Sequence, residues 1–141
     1  MSLQFFMDSQ KKFQERMGNI FSEMSLKEQA AYIKEHGYFL MEEVMEMFRE
    51  MPYHKSWKDY SGWDEIDLIQ QHQLMKEEAI DAFHFMINIF LVLGMDEEEV
   101  MKMYKEKNNL NYQRQEDSKL GYITTTEELI EAYKIGGIKN D

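Results

Sequence analysis

The stretch AIDAFHFMINIFLVL, residues 79–93, decides the fold because it is apolar on nearly every side. A helix that is apolar all round lies inside a protein. The stretch is too short and too interrupted for a membrane-spanning helix. It contains three polar residues, Asp81, His84 and Asn88, and Glu78 lies three residues before the first of them. These spacings place all four on one helical face, so the sequence predicts a buried helix with a single polar stripe.

Apolar residues at helical spacing predict further helices on both sides of this stretch. A short polar residue followed three positions later by Glu is typical of a helix start, and Ser25, Asp96 and Thr125 begin this pattern. Pro52 disfavours helical geometry in the residue before it, so the second helix should end near Met51. The predicted helices cover residues 3–23, 25–51 with a candidate kink at Gly37, 64–94 with a candidate break at 70–73, 96–117 and 125–134. Together they predict an all-α helical bundle of four to six helices, in one domain over residues 1–141.

The composition excludes several classes of function. Asp plus Glu number 27 and Lys plus Arg number 16, which gives a formal net charge of −11. Nucleic-acid binders and anionic-membrane binders need clustered positive charge, so we expect neither partner. The absence of cysteine excludes disulfides, thiolate metal sites and a cysteine nucleophile. The first residues lack the basic head and the long apolar run of a secretory signal, so we expect a cytoplasmic protein.

A second acidic stripe lies in the segment LMEEVMEMF, residues 40–48, where Glu42, Glu43 and Glu46 stand among apolar residues. Glutamates three and four residues apart are neighbours on a helix surface. On a wet helix face this is an ordinary solvated charge pattern, and that interpretation stays open. If the two acidic stripes face each other instead, their carboxylates share one cleft, and a divalent cation would relieve the repulsion. All-oxygen ligands favour Mg²⁺, with Mn²⁺ as an alternative.

Two further segments carry groups that suit a nucleotide. Lys107, Asn111 and Arg114 are four and three residues apart, which makes one helical face suited to a phosphate or another anion. An ordinary polar helix face explains the same pattern. In the loop predicted after Met51, Lys55 and Trp57 combine a cation with an aromatic plane that can stack on a base. Aromatic loop residues also serve as covers over a core, so this interpretation has an alternative as well.

Several strings in the sequence match a known family. EExxE at 42–46, ExxD at 78–81 and the following His84 resemble the all-α nucleoside triphosphate pyrophosphohydrolases. The fuller pattern is similar to the dimeric all-α deoxyuridine triphosphatase branch of that superfamily. Three strings carry this closer resemblance: YHKSW at 53–57, EEAIDAFHF at 77–85 and YKEKNNLNYQRQ at 104–115.

The resemblance implies an all-α fold, a homodimer, Mg²⁺ dependence, and hydrolysis of dUTP to dUMP and pyrophosphate, with dUDP also accepted. It implies four metal-binding carboxylates: Glu43, Glu46, Glu78 and Asp81. It implies that Glu42 or Glu43 orients or deprotonates the attacking water. It implies base contacts from Trp57, His84 and Asn88 and from a glutamine of the first helix, Gln10 or Gln14. It implies phosphate contacts from Lys55, Lys107, Asn111 and Arg114.

Three alternatives belong to other classes of function. The first keeps the chemistry and changes the base, which gives a dCTP or broad-specificity pyrophosphohydrolase. The second is a helical adaptor without activity, whose carboxylate stripes would be exposed to bind a partner. The third is a di-iron carboxylate bundle, which needs Glu-x-x-His pairs on two helices, and the predicted helix over 25–51 has no such pair. A panel of nucleoside triphosphates separates the first alternative from dUTP hydrolysis.

Overall fold

The computed structural model of the protein describes residues 2–116. Within this part of the chain there are four α-helices, a short 3-10 turn over Phe21–Glu23, and no β-strand. The α-helices are α1 (Leu3–Arg16), α2 (Leu26–Glu50), α3 (Glu65–Val92) and α4 (Glu97–Glu116). The predicted all-α fold class is confirmed. The loop and the helix predicted over residues 118–134 lie outside the described residues.

The chain divides into two compact units, residues 1–97 and 98–141. Helices α1, α2 and α3 belong to the first unit, and nearly all of α4 belongs to the second. The expectation of a single domain over residues 1–141 stays a prediction. Among the described residues no single helix is both long and apolar enough to cross a membrane, and only the broken pair α3 with α4 meets those criteria by length and composition.

Two reciprocal capping boxes set the starts of the long helices. At the start of α2 the Glu28 amide donates to Ser25 Oγ at 3.3 Å, and the Ser25 amide donates to Glu28 Oε2 at 2.7 Å. The hydrogen bonds from the Ser25 hydroxyl and amide also lower the pKa of the Glu28 carboxyl. Asp64 and Asp67 form the same arrangement at the start of α3. Each box satisfies amide groups that the first turn of a helix leaves without partners, so both starts agree with the predicted boundaries.

The first helix ends seven residues earlier than predicted, at Arg16 instead of residue 23. Gly18 adopts a φ of +90°, a left-handed conformation that stops a helix. The Asn19 amide donates to the Gln14 carbonyl at 2.9 Å, and the Gly18 amide donates to the Glu15 carbonyl at 3.0 Å. These two bonds form a Schellman motif, which satisfies the last carbonyl groups of α1.

The other predicted boundaries agree better with the structure. Helix α2 ends at Glu50, two residues before Pro52, and α3 ends at Val92 before Gly94, whose φ is +74°. The candidate break at residues 70–73 is wrong, because α3 continues through them, and α2 also continues through Gly37, where the candidate kink stays a prediction. A single glycine in a long helix lowers its stability without ending it.

Helices α2 and α3 run antiparallel and pack along each other. Three contacts define the direction: His36–Asn88, Phe39–Phe85 and Glu43–Glu78. Helix α1 packs on α3, with the Phe6 and Phe83 rings 5.6 Å apart in edge-to-face geometry. The apolar residues buried in the described part of the chain come from all three helices: Met7, Tyr32, Ile87 and Val92. This packing brings the acidic stripes of α2 and α3 to the same place.

Candidate functional site

The two acidic stripes meet where α2 faces α3. Carboxylate oxygens of Glu43, Glu46 and Glu78 all lie within 4.8 Å of one another, and we call these three residues the acidic cluster. Glu43 and Glu78 are partly buried, whereas Glu46 is exposed and lies 3.8 Å from Arg49 Nη1. Asp81 is the next residue of the α3 stripe and contributes to the electrostatic field at Glu43. Three of the four carboxylates that the resemblance implies as metal ligands therefore lie together, and Asp81 is outside the group of oxygens within 4.8 Å of one another.

The pKa of the Glu43 carboxyl lies above its ordinary value. Burial raises its pKa, and repulsion from Glu46, Asp81 and Glu78 raises it further. A hydrogen bond with Glu78 adds to the shift because it favours the protonated form. A divalent cation would relieve the same repulsion. The donors are all carboxylate oxygens, so the acidic cluster fits a hard cation such as Mg²⁺ or Mn²⁺ and could hold one.

A cavity of ≈ 530 Å³ opens beside the acidic cluster, and we call it the amide cavity. Its wall includes carboxylates, aromatic rings and amides: Ser9, Gln10, Phe13, Gln14, Glu43, Asp81, His84, Phe85 and Asn88. Glu43 belongs both to this wall and to the acidic cluster, and Asp81 belongs to the wall and repels Glu43. Asp81 Oδ1 lies 3.6 Å from His84 Nδ1, and both side chains are about half exposed. One cavity therefore joins carboxylates to aromatic and amide groups.

Two residues of the cavity wall, Gln14 and Asn88, belong to a network of hydrogen bonds and one ring stack. The Asn88 side chain is 1% exposed, and its Nδ2 contacts His36 Nδ1 at 3.2 Å. His36 stacks on Tyr32, with ring centroids 3.7 Å apart. The Tyr32 hydroxyl donates to Gln14 Oε1 at 3.0 Å, and Asn19 Nδ2 donates to the same oxygen at 2.9 Å. The network thus connects all three helices of the first unit.

One atom of this network lacks a partner within the described part of the chain. Asn88 Oδ1 is buried and accepts no hydrogen bond there. A buried acceptor without a partner costs about 1–3 kcal/mol of stability. Such a cost is tolerated where a ligand or water supplies the missing donor.

The structure brings together many of the residues that sequence reasoning singled out. The wall of the amide cavity contains five of the residues predicted to contact a substrate or a metal through α1 and α3: Gln10, Gln14, Asp81, His84 and Asn88. Glu43 lies in both the wall and the acidic cluster, which also contains Glu46 and Glu78. Both candidate glutamines of the first helix therefore reach the same cavity.

Glu42 lies apart from its neighbour Glu43. It lines a separate groove of ≈ 330 Å³ on α2, together with Tyr38, Met41, Met45 and Arg49 among others. Adjacent residues on a helix differ in direction by about 100°, so they cannot both face α3. Of the two alternatives for orienting water, the geometry favours Glu43 over Glu42.

The loop between α2 and α3 holds Lys55 and Trp57 away from the amide cavity. Neither residue belongs to the cavity wall, and Trp57 is 81% exposed. The loop has its own aromatic contacts, in which Tyr60 lies against Tyr53 and against Trp63 at centroid distances of 5.1 Å. Within one chain the loop therefore lies outside this cavity wall, and the base contact of Trp57 and the phosphate contact of Lys55 stay predictions.

Lys107, Asn111 and Arg114 lie on α4, at the spacing that gives one helical face. Lys107 and Asn111 are exposed and Arg114 is partly buried. Their role in phosphate binding stays a prediction.

Sequence reasoning missed four residues that shape the amide cavity or its network: Phe13, Tyr32, His36 and Phe85. Tyr32 and His36 are four residues apart and so share a face of α2, which is the available local signal. That spacing is equally typical of an ordinary packed helix face. Only the packing of α2 with its neighbours shows that Tyr32 and His36 contact Gln14 and Asn88 instead of forming an ordinary packed face.

Parts of this chain are similar to known phage proteins. A dCTP pyrophosphatase of Enterobacteria phage T4 is 46% identical over 43 residues, which cover 30% of this chain and 25% of the relative. A dCTP pyrophosphatase of Enterobacteria phage LZ5 is 41% identical over 66 residues, which cover 46% of this chain and 38% of the relative. A DNA replication protein of phage T4 is 50% identical over 34 residues, which cover 24% of this chain and 9% of the relative.

These similarities are partial, since the chain matches less than two fifths of the length of each of these relatives. No family model and no solved structure matches the chain. The two matched pyrophosphatases nevertheless point to the nucleotide pyrophosphohydrolases, which agrees with an all-α fold and a carboxylate cluster that could hold a metal ion.

Proposed function

We propose that this chain hydrolyses a pyrimidine deoxynucleoside triphosphate to the monophosphate and pyrophosphate, with a divalent cation. One observation carries the proposal: Glu43 belongs both to the acidic cluster and to the wall of the amide cavity, and Asp81 of the same wall repels it. A nucleotide has the same arrangement, with a flat polar base at one end and charged phosphates at the other. The cavity of ≈ 530 Å³ lies in the size range of small-molecule sites.

The acidic cluster would hold the cation, with Asp81 as a further ligand. When bound, Mg²⁺ or Mn²⁺ supplies charge neutralisation on the phosphates and lowers the pKa of a bound water. Glu43 is the residue that would accept a proton from the attacking water, because it belongs both to the acidic cluster and to the wall of the amide cavity. The aromatic rings of Phe13 and Phe85 would enclose the base.

Two substrates are candidates. dUTP, with dUDP as a second substrate, is the one that the sequence motifs imply through their resemblance to the deoxyuridine triphosphatase branch. dCTP is the second candidate, which is favoured by the names of the two matched phage pyrophosphatases. Both bases are single rings with a polar edge, so the cavity suits either.

The test is pyrophosphate release from dUTP, dCTP, dTTP and UTP, each measured with and without Mg²⁺. We expect release from dUTP or dCTP that depends on the cation. Glu78→Gln should lower this rate at least about 100-fold, since even indirect partners of metal ligands cost 10–100-fold when they are changed. Glu77→Gln is the matched control, because Glu77 is exposed and outside the cluster. Absence of release from all four triphosphates would refute the proposal.

The proposed assembly is a homodimer formed through α2. Four large apolar side chains lie three or four residues apart on this helix and are 45–55% exposed: Tyr38, Met41, Met45 and Phe48. A continuous exposed apolar row is typical of an interaction surface. Beside this row, Glu42 and Arg49 lie three residues before and four residues after Met45. A second copy packed antiparallel about Met45 would place Glu42 against Arg49 of the partner subunit.

A further inference from the structure

Asn88 belongs to the wall of the amide cavity, and its buried side-chain oxygen has no hydrogen-bond partner in the described part of the chain. Its Nδ2 group contacts His36 Nδ1 at 3.2 Å, so Oδ1 is the polar atom of this amide that His36 does not contact. Oδ1 is buried and has no partner among residues 2–116. Asn88 belongs to the cavity wall, so a bound molecule that carries an N–H group could satisfy this oxygen.

The tautomer of His36 sets which end of the Asn88 amide is left over, and the Nε2–H tautomer leaves Oδ1. Burial lowers the pKa of His36 and so favours the neutral ring, although Glu35 acts in the opposite direction. A neutral imidazole has one donor and one acceptor nitrogen. When Nδ1 accepts from Asn88 Nδ2, the ring proton lies on Nε2 and the amide cannot turn over without losing this bond. Tyr32, Phe39 and Phe85 surround the ring and hold it in place.

Gln14 has the complementary orientation. Its Oε1 accepts from the Tyr32 hydroxyl at 3.0 Å and from Asn19 Nδ2 at 2.9 Å. With the oxygen engaged by two donors, the Nε2 group is the end of this amide that can donate to a ligand. Tyr32 and His36 thus lie one turn apart on α2 and each hold one amide of a neighbouring helix.

We propose that Tyr32 and His36 are positioning residues that fix Gln14 as a donor and Asn88 as an acceptor for the edge of a pyrimidine base. Uracil offers a carbonyl oxygen beside the N3–H group, and cytosine offers N3 beside its amino group. Either edge supplies one acceptor and one donor side by side, which matches the two fixed amides. This inference rests on the proposed function, and it assigns a role to two residues that contact the substrate only through others.

The test compares a pyrimidine deoxynucleoside triphosphate with deoxyribose triphosphate, which lacks the base. Tyr32→Phe keeps the ring stack and removes the hydroxyl, and His36→Phe keeps the ring and removes the acceptor. We expect each change to raise KM for the base-bearing substrate about 10-fold, the scale of one lost hydrogen bond, with little change in kcat. KM for the base-free substrate should stay unchanged. His36→Gln retains an acceptor and should recover part of the loss.

A double-mutant cycle tests whether His36 acts through Asn88. His36→Phe should add no further base-specific loss in an Asn88→Ala background, because the group that it positions is already absent. His72→Phe and Tyr53→Phe are matched controls, since both residues are exposed and lie outside the cavity wall. Thermal unfolding of each variant establishes that it is folded. If His36→Phe does not fold, the two single variants Tyr32→Phe and His36→Gln are used for the test instead.

The outcomes separate this inference from the proposed function. If the wild-type protein hydrolyses no triphosphate, the proposed function fails. If the wild-type protein is active and the variants lose equal activity on both substrates, or lose none, the positioning role is overturned. A loss confined to the base-bearing substrate supports the inference.

Discussion

Glu43 is the residue whose protonation should be most visible in the stability of the metal-free protein. Its pKa is raised, so the folded state binds this proton more tightly than the unfolded state. Protonated Glu43 therefore stabilises the fold at low pH, and this contribution is lost as the pH rises through the raised pKa. We expect Glu43→Gln to raise the melting temperature at neutral pH without metal, and this gain should shrink as the pH falls.

The comparison of Glu43→Gln with Glu42→Gln isolates this effect. Both changes remove one negative charge from neighbouring positions of α2, but Glu42 lines the other groove. Thermal unfolding across a pH series in the presence of a chelator measures the difference between the two variants. An equal gain in both variants would mean that general charge reduction, rather than the acidic cluster, causes the effect.

The variant Asp81→Asn tests whether Asp81 is a metal ligand or an acid that stabilises the fold. Asp81 repels Glu43, and its contact with His84 is half exposed and contributes little. The change should therefore leave the metal-free protein no less stable, while pyrophosphate release falls at least about 100-fold. The melting temperature with a chelator and the turnover with Mg²⁺ are measured on the same preparation. A large loss of stability with activity intact would contradict the assignment of Asp81 as a metal ligand.

At the scale of helices, replacing Gly18 or Gly37 by alanine should change the stability of the protein in opposite directions. Gly18 has a φ of +90° at the end of α1, where a side chain costs about 1–2 kcal/mol because the left-handed region is strained. Gly37 lies inside α2, and an added Cβ there meets no atom within 4 Å. Gly37→Ala should therefore stabilise the protein by about 0.5–1 kcal/mol. Urea unfolding measures both changes, and a stabilising Gly18→Ala would contradict the observed helix end.

At the scale of the whole molecule, the proposed dimer predicts a charge-swap experiment. Glu42→Arg and Arg49→Glu each place like charges opposite one another in the antiparallel arrangement, and should weaken the dimer at least about 10-fold. The double variant restores opposite charges and should recover the dimer. Sedimentation equilibrium measures the dissociation constant of each. A monomeric wild-type protein at micromolar concentration would refute the dimer, and a double variant that stays weak would refute this register.

Much of the local structure follows from the sequence, because its causes lie within a few residues. The capping box at Ser25, the proline after α2 and the glycine after α3 each act within three or four positions, and all three boundaries agree with the structure. Gly18 ends α1 in the same way as Gly94 ends α3, with a positive φ. Apolar residues continue at helical spacing beyond Gly18, and the first predicted helix is too long because it includes them.

The candidate site was partly predictable for the same reason. Helical spacing alone groups Glu43 with Glu46 and Glu78 with Asp81, because those pairs are one turn apart. It does not decide whether Glu42 or Glu43 faces α3, since both lie in the same acidic run. The structure decides in favour of Glu43 through the packing of α2 on α3.

The sequence by itself determined the all-α class, most helix ends and the two acidic stripes, because a helix is defined by contacts between residues three or four positions apart. Only the tertiary structure decided that the stripes meet, that Trp57 is exposed, and that Tyr32 and His36 hold the amides of Gln14 and Asn88. These facts depend on which faces of α1, α2 and α3 pack together. The His36–Asn88 contact spans 52 residues of sequence, and no local spacing encodes it.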